Sequence, residues 1–291
     1  MGVSKDKGQV DPYGMTNAIQ VRGLTKRYGD VQAVKGIDLD IRQGEVFAIL
    51  GPNGAGKSTT VEILEGYRKR DSGEVSVLGV DPARPTREWR SRIGIVLQTA
   101  NDAAELSVRE TVRHFADYYP NPRDPDEVIA AVGLTESANK RVRQLSGGQR
   151  RRVDVALGVL GRPELIFLDE PTTGFDPEAR RQFWELIEGL AHDGSTIVLT
   201  THYLDEAEAL ADRVAVIAGG TIVAEGEPGT LGGRATAKAT VSWADGSVET
   251  DTPTKTVLEL SRRFDGEVPG LTVARPTLED IYLTLIEAPR D

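Results

Sequence analysis

The segment Gly51–Thr59 most constrains what this chain can fold into, because it carries three glycines between a buried strand and a helix. It consists of Gly51, Pro52, Asn53, Gly54, Ala55, Gly56, Lys57, Ser58 and Thr59. The near-continuous apolar run Val46–Leu50 precedes it and predicts a strand buried on both faces of a parallel sheet. A helix is predicted over Lys57–Glu65, with Gly66 placed to end it.

The spacing from Gly51 to Ser58 is that of a phosphate-binding loop, G-x-x-x-x-G-K-S. Its glycines let backbone N–H groups approach phosphate oxygens, and the helix N-terminus adds partial positive charge. Lys57 is suited to the β- and γ-phosphates and the Ser58 hydroxyl to Mg²⁺. The strand before and the helix after the loop favour a nucleotide site over a structural glycine turn. ATP and Mg²⁺ are therefore the expected cofactors.

The composition excludes several other classes of protein. The chain has 291 residues, enough for one large domain and a small one, and it has no cysteine, which rules out disulfides and thiolate metal sites. Its net charge of -10 would repel a phosphate backbone, so no nucleic-acid partner is expected. Residues 1–20 contain no apolar run, which argues against a signal peptide. No stretch approaches the roughly 20 apolar residues of a membrane span, so a membrane link requires a partner.

Buried strands alternate with helical patterns, which predicts an α/β fold with a mainly parallel sheet. The further strands are expected over Ser91–Gln98, Leu165–Pro171, Ser195–His202 and Arg213–Ile217. Half-buried strands are expected before Gly44, where apolar and polar residues alternate. A helical segment is predicted over Ser107–Glu136, opening with a capping box of Ser107 and Glu110.

The texture of the chain suggests three parts. Residues 1–17 are polar and are predicted to form a flexible tail, and residues 18–229 form the main domain. Residues 230–291 are predicted to form an accessory domain, with a hairpin around Asp245–Gly246 and a terminal helix over Thr277–Ala288.

Two carboxylates end the predicted strand Leu165–Pro171. Asp169 and Glu170 would lie at the carboxyl edge of the sheet, where α/β proteins bind ligands. Neighbouring side chains of a strand point in opposite directions, so the two are expected to have different roles. Asp169 would hold Mg²⁺ through water, and Glu170 would polarise the attacking water. The alternative, an acidic pair that caps the next helix, is weakened by Pro171.

Other polar residues fall at or near the same edge. His202 ends the strand Ser195–His202 and would contact the γ-phosphate or orient the water, whereas His114 and His192 are interpreted as structural or surface residues. Gln98 ends another strand, and its amide can bind Mg²⁺ or the water. Tyr28, before Gly29, could stack on adenine or pack in the core.

A second loop with anion-binding chemistry lies at Ser146, Gly147, Gly148 and Gln149, within "QLSGGQRRR". It supplies a hydroxyl, two bare backbone positions and the start of a helix, but no lysine. It should therefore bind phosphate poorly on its own. The charge runs Arg68–Arg70 and Arg150–Arg152 are interpreted as solvated faces with no role in a site.

The motifs "GPNGAGKSTT", Gln98, "LSGGQRRR", "LIFLDEP" and His202, in this order, resemble the ATP-binding cassette (ABC) proteins over about Ala18 to Glu227. The resemblance implies a P-loop NTPase fold with a mainly parallel core sheet, an antiparallel β subdomain and a helical subdomain at about 100–160. The small C-terminal domain is expected to be α+β.

The resemblance also implies how the sites work. Two cassettes pack head to tail as an ATP-dependent homodimer, and Ser146–Gln149 of one copy closes over the γ-phosphate held by the other. Asp176, in "TTGFD", lies at the subunit contact, where Phe175 departs from the usual leucine. The implied catalytic residues are Glu170, His202, Gln98 and Lys57; the implied metal ligands are Ser58, Gln98 and Asp169; and Tyr28 matches the aromatic residue that stacks on adenine.

Within the family, "THYLDEAEALADRVAVI" and "PTLEDIYLTLI" look like the daunorubicin-type drug-resistance ATPases and related export ATPases. That likeness implies an ATP-hydrolysing subunit at the cytoplasmic face of the cell membrane, bound to a separate integral permease. The alternatives are an importer ATPase and a soluble ABC ATPase of DNA repair, translation or cofactor assembly. An inactive binding module conflicts with the intact Lys57, Asp169, Glu170 and His202.

Overall fold

The computed structural model describes residues 16–96 and 105–287. Gln98 and all but the end of the predicted tail lie outside these described residues. The strands are β1 Asn17–Tyr28, β2 Val31–Arg42, β3 Val46–Leu50, β4 Ser72–Val77, β5 Ile93–Val96, β6 Leu165–Asp169, β7 Thr196–Thr200, β8 Arg213–Ala218, β9 Thr221–Gly226, β10 Ala239–Trp243, β11 Gly246–Thr250 and β12 Thr272–Ala274. The α-helices are α1 Lys57–Leu64, α2 Arg87–Ser91, α3 Val108–Ala116, α4 Pro125–Ala131, α5 Gly147–Val159, α6 Pro177–His192, α7 Leu204–Leu210, α8 Pro253–Arg263 and α9 Leu278–Glu287.

A six-stranded sheet forms the centre, in the order β5-β6-β7-β3-β8-β9. The pairings from β5 to β8 are parallel, and β9 is antiparallel to β8. Every residue of β3 and β7 is buried, as expected for strands covered on both faces. The predicted mainly parallel α/β sheet is confirmed. The parallel order brings the carboxyl ends of β3, β6 and β7 to one edge.

The two faces of this sheet are covered by different layers. Phe47 and Ile49 of β3 pack with α1 and with a second, antiparallel sheet of order β2-β1-β4. Val46, Ala48 and Leu50 point to the other face and pack with the helices α5, α6 and α7. The alternation along β3 therefore places the helix α1, which begins within the segment Gly51–Thr59, between the two sheets.

The prediction of one helical segment over Ser107–Glu136 is wrong in its middle. The helix α3 ends at Ala116 and α4 begins at Pro125. The prolines at 120 and 122 cannot lie inside a continuous helix, and the proline at 125 occupies the first turn of the next one. The predicted capping box is confirmed: the Ser107 Oγ accepts from the Glu110 N–H at 3.2 Å. None of the helices within 16–96 and 105–287 combines the length and the apolar character needed to cross a bilayer.

The C-terminal residues form a third sheet, of order β11-β10-β12, with α8 packed on it through Val241, Leu260 and Val268. The predicted hairpin is confirmed, since Trp243 pairs with Gly246 across the turn. The terminal helix α9 packs on the main core through the fully buried Leu278. The helix α8 and the strand β12 were not expected from the sequence. A domain boundary at 229 stays a prediction.

A buried carboxyl follows α1. Glu65 is only 7% exposed, and burial raises its pKa to about 8, with the charges of Asp169 and Glu62 adding to the rise. A pKa above the ordinary 4.5 means that folding favours the protonated acid. Its contribution to stability is therefore complete below pH 4.5 and is lost as the pH rises through about 8.

We predict that Glu65→Gln removes this loss. Between pH 5 and pH 9 the free energy of unfolding of the wild type should fall, relative to that of the variant, by at least about 1 kcal/mol. Urea unfolding at both pH values measures the difference. The exposed Glu74 of β4 provides the matched control, Glu74→Gln, which should keep the wild-type dependence. Parallel pH dependences of the wild type and Glu65→Gln would contradict the prediction.

Candidate active site

The loop between β3 and α1 is shaped by contacts that only glycine permits. At Gly51, where φ is +155°, a Cβ atom would lie 2.1 Å from the Ile217 carbonyl oxygen. At Gly56, where φ is +106°, it would lie 2.4 Å from the Ala33 carbonyl oxygen. Both distances are far inside van der Waals contact, and both neighbours are backbone atoms that cannot swing away. The spacing of the motif thus follows from the close approach of β8 and β2.

Lys57 begins α1 and is only 7% exposed. Its Nζ donates to the carbonyl oxygens of Gly51 at 2.7 Å and Pro52 at 3.1 Å. Burial lowers the pKa of Lys57, and the nearby charges of Glu170 and Asp169 act in the opposite direction. The loop lysine and the two strand-end carboxylates are therefore within electrostatic reach of one another, as predicted.

The rim of the loop is open to solvent. Pro52, Asn53 and Gly54 are exposed, and so is Ser58 in the first turn of α1. Ala55 is buried, and it anchors the loop from below, since its carbonyl accepts from the Gly220 N–H at 3.1 Å. The loop therefore presents backbone and a hydroxyl to the surface while its base is fixed.

Asp169 ends β6 beside Thr200, its register partner on β7. The Thr200 hydroxyl donates to Asp169 Oδ1 at 2.5 Å and accepts from the Glu170 N–H at 3.2 Å. Within the described ranges, no three His, Asp or Glu side chains gather as a metal cage. Mg²⁺ usually takes one or two protein oxygens together with phosphates and waters. The Ser58 hydroxyl and the Asp169 carboxylate are protein oxygens of the kind that Mg²⁺ takes.

Glu170 lies beyond the end of β6. Its φ is +45°, a conformation that non-glycine residues rarely adopt and that often marks functional sites. A turn of the backbone therefore separates Asp169 from Glu170. The reason predicted for their different roles, the alternation of side chains along a strand, does not apply, since Glu170 lies outside β6. Glu170 Oε2 lies 3.4 Å from Nδ1 of His202, so two of the candidate site residues lie side by side. His202 is 45% exposed at its side chain.

Tyr28 ends β1 and is 39% exposed, so the alternative that it packs in the core is wrong. The Arg68 Cζ lies 5.2 Å from the centre of its ring, and Lys26 Nζ lies 5.5 Å away. Arg68 also forms an ion pair with Glu62, and both side chains stay about one-third exposed. These cations contact the ring without covering all of it.

We call Ser146–Gln149 the signature loop. The Ser146 Oγ caps α5 by accepting from the Gln149 N–H at 3.2 Å, and the Gln149 side chain accepts from the Ser146 N–H at 3.1 Å. Gln149 is further held by the Ser137 hydroxyl at 3.3 Å. Ser146 and Gly147 are exposed. The loop is thus a firmly capped helix start that faces outward.

Two buried groups beside the strand ends, Arg151 and Glu206, could not be predicted from the sequence pattern. Arg151, expected on a solvated face, is only 7% exposed and donates to the carbonyl oxygens of Asp169 and Pro171. Glu206 of α7 is fully buried, and burial raises its pKa although Thr201, Thr172 and Trp184 act to lower it. Their position in the charged segments "QRRR" and "LDEAEA" concealed both.

The chain is similar to known ATP-binding proteins of transporters. Residues 34–173 match the model of the family described as ABC transporter. The daunorubicin resistance ATP-binding protein DrrA3 of Streptomyces coeruleorubidus is 42% identical over 214 residues, covering 72% of this chain and 68% of that protein. The Nod factor export ATP-binding protein I of Rhizobium meliloti is 42% identical over 221 residues, covering 74% and 66%.

Among solved structures, the chain resembles a dimeric post-hydrolysis state of the ATP-binding cassette MJ0796 bound to ADP and Pi. That likeness has a TM-score of 0.65 and 28% identity, and covers 72% of this chain and 98% of the other. The residues that match the family model include the phosphate-binding loop, the signature loop and the end of β6. This chain belongs to the ABC transporter family of ATP-binding proteins and is an ABC ATPase.

Proposed function

We propose that this chain is the ATP-hydrolysing subunit of a two-component exporter, attached to the cytoplasmic face of the membrane through a separate integral permease. The observation that carries the proposal is that one chain holds both halves of a composite ATP site on different elements. One half is the phosphate-binding loop with Lys57, Glu170 and His202. The other is the outward-facing signature loop at the start of α5.

The two halves imply a head-to-tail homodimer. The signature loop offers N–H groups and a helix N-terminus to an anion, yet it carries no lysine and is exposed. It becomes useful when a second copy brings a phosphate to it. Two-fold symmetry then yields two equivalent sites, because each copy gives a loop to the other. The dimeric state of the related cassette MJ0796 supports dimerisation of this chain.

Within each site the residues divide the work. Lys57 and the backbone of Gly51–Thr59 bind the phosphates, and Tyr28 offers a ring to adenine. Glu170 accepts a proton from the attacking water. His202 lies 3.4 Å from the Glu170 carboxylate and orients the same water. Bound Mg²⁺, held by Ser58 and Asp169, would neutralise phosphate charge. Gln98 is proposed as a further ligand to the metal or the water.

Thr200 positions both carboxylates. Its one hydroxyl donates to Asp169 and accepts from the Glu170 backbone, so it fixes the strand end and the turn together. A group that misplaces a reacting atom by about 1 Å can lower the rate about 10²-fold. We therefore assign Thr200 a positioning role in hydrolysis.

The cargo is set elsewhere. A relative named for daunorubicin resistance and one named for Nod factor export are equally identical to this chain, at 42%. Cassettes of such similar sequence thus serve chemically different compounds. The Nod factor relative is named for export, which favours export over import. The permease, and not this chain, is proposed to select the compound.

We predict that Glu170→Gln keeps nucleotide binding, lowers turnover about 10²- to 10⁴-fold, and forms a stable dimer in Mg-ATP. The proton acceptor is lost, whereas the phosphate contacts remain. Light scattering in saturating Mg-ATP should show a doubled molar mass. The exposed Glu178 of α6 supplies the control, and Glu178→Gln should turn over at the wild-type rate.

A second variant tests the signature loop separately from the phosphate-binding loop. Ser146→Arg should still bind nucleotide through the phosphate-binding loop but should neither dimerise nor hydrolyse ATP, since the added side chain fills the space needed by the phosphate. If Glu170→Gln stays monomeric in Mg-ATP, or Ser146→Arg turns over normally, the head-to-tail arrangement is wrong.

We predict that Thr200→Val lowers kcat about 10- to 100-fold with little change in nucleotide affinity, because the bonds to Asp169 and Glu170 are lost. The control is Thr196→Val at the other end of β7, where the hydroxyl accepts from the Gly44 N–H at 3.0 Å. That change should cost stability but not turnover. Steady-state hydrolysis and nucleotide titration measure both quantities; equal kcat for wild type and Thr200→Val would refute the role.

The permease is tested directly. Tagged Glu170→Gln protein, purified from detergent-solubilised membranes in Mg-ATP, should retain an integral membrane protein that has no ATP-binding cassette of its own. Lys57→Ala is the control, because a subunit that cannot bind ATP should not drive efflux of the cargo in cells. Recovery of nucleic acid or ribosomal proteins in place of a membrane protein would favour a soluble ABC ATPase.

A further inference from the structure

Arg151 connects two parts of the site that the chain separates. It lies near the start of α5, just after the signature loop, and it is only 7% exposed. Its Nε donates to the Pro171 carbonyl oxygen at 3.2 Å, and its Nη2 donates to the carbonyl oxygen of Asp169. These two carbonyls flank Glu170. We call Asp169–Pro171 the catalytic turn.

The charge environment indicates that this contact is costly and specific. Burial lowers the pKa of Arg151, while the carboxylates of Asp154, Asp169, Glu170 and Glu206 raise it. A guanidinium is rarely buried unless its donors are used. Here two N–H donors of the guanidinium bind backbone carbonyl oxygens. Substitution of the side chains at Asp169 or Pro171 would leave these acceptors in place. The position of α5 and the position of the catalytic turn are therefore tied together.

A second contact supports the same link. A Cβ atom on Gly148 would lie 3.6 Å from Phe175 Cδ1, so the ring of Phe175 lies against the signature loop's own backbone. Phe175 is buried and meets Phe183 of α6 edge-on at 5.9 Å between ring centres. The start of α5 thus packs on both ends of the segment that runs from Asp169 to Asp176.

We propose that Arg151 couples the signature loop of each protomer to the catalytic turn of the same protomer. The inference rests on the proposed head-to-tail dimer. When the signature loop closes on the partner's phosphate, α5 moves as a rigid rod, and Arg151 moves the carbonyls on either side of Glu170. Closure at one ATP site thereby sets the position of Glu170 at the other. Arg151 is a positioning residue and touches no substrate.

Arg151→Met tests the link in homodimers. The expected result is a kcat lowered about 10- to 100-fold, with nucleotide affinity within about twofold of the wild type. In the Glu170→Gln background, ATP-dependent dimerisation should persist, because the signature loop is intact. Arg151→Lys should restore part of kcat, since an ammonium can reach one carbonyl. Arg181→Met changes an exposed arginine of α6 whose Nε bonds within its own helix, and it should behave as wild type.

Mixed dimers decide between the two possible roles of Arg151. When Arg151→Met and Glu170→Gln are in the same protomer, the remaining active Glu170 has its own Arg151, and turnover should equal that of a wild-type/Glu170→Gln dimer. When the two changes are in different protomers, turnover should fall about 10- to 100-fold. The reverse pattern would mean that Arg151 serves the partner's site, and it would overturn the proposal.

Further results would contradict either the coupling through Arg151 or the dimer on which it rests. Equal loss in both mixed dimers, or equal activity in both, would overturn the coupling. Loss of nucleotide binding together with a lower Tm in both Arg151→Met and Arg151→Lys would overturn it too, since Arg151 would then be needed for folding alone. Failure of Glu170→Gln by itself to dimerise would instead refute the head-to-tail arrangement.

Discussion

The parallel pairing of β6 with β7 is the constraint on which the site depends. It sets Asp169 opposite Thr200, and the same sheet places the end of β3, where the phosphate-binding loop begins, beside β7. The ends of β3, β6 and β7 are far apart in the sequence, and the sheet brings their side chains together at one edge. A shift of one residue in the β6–β7 register would turn Asp169 away from Thr200 and would separate the carboxylates from Lys57.

Features that depend on local pattern could be predicted from the sequence, and features that depend on tertiary position could not. The strands β3, β6, β7 and β8 are near-continuous apolar runs, and the loop at Gly51 has a fixed spacing, so the sequence predicts both. The prediction of one helical segment over Ser107–Glu136 is wrong at the break between α3 and α4, although prolines mark that break. Arg151 looks like any member of a basic run. Only the fold shows that this arginine, and not its neighbours, turns inward.

The site keeps strain and buried charge that a stable fold alone would avoid. Glu170 holds a left-handed backbone conformation, and burial raises the pKa values of Glu65 and Glu206 close by in the chain's core. Such costs tend to persist where function needs them. Here the bonds from Thr200 and Arg151 to Asp169–Pro171 hold the unusual conformation, so the same contacts that offset the strain also fix Glu170, the carboxylate proposed to accept the proton.

The missing lysine of the signature loop then has a physical meaning. A ligand shifts an equilibrium only by its differential affinity for the two states, and moving a population from 1:99 to 99:1 takes about 5.5 kcal/mol. A loop that bound phosphate well alone would favour closure with ADP and Pi as well as with ATP. In the proposed head-to-tail dimer, a weak loop would respond only when the γ-phosphate is held by a partner's Lys57. Under that proposal, closure of the dimer would require ATP, and hydrolysis would remove the phosphate on which closure depends.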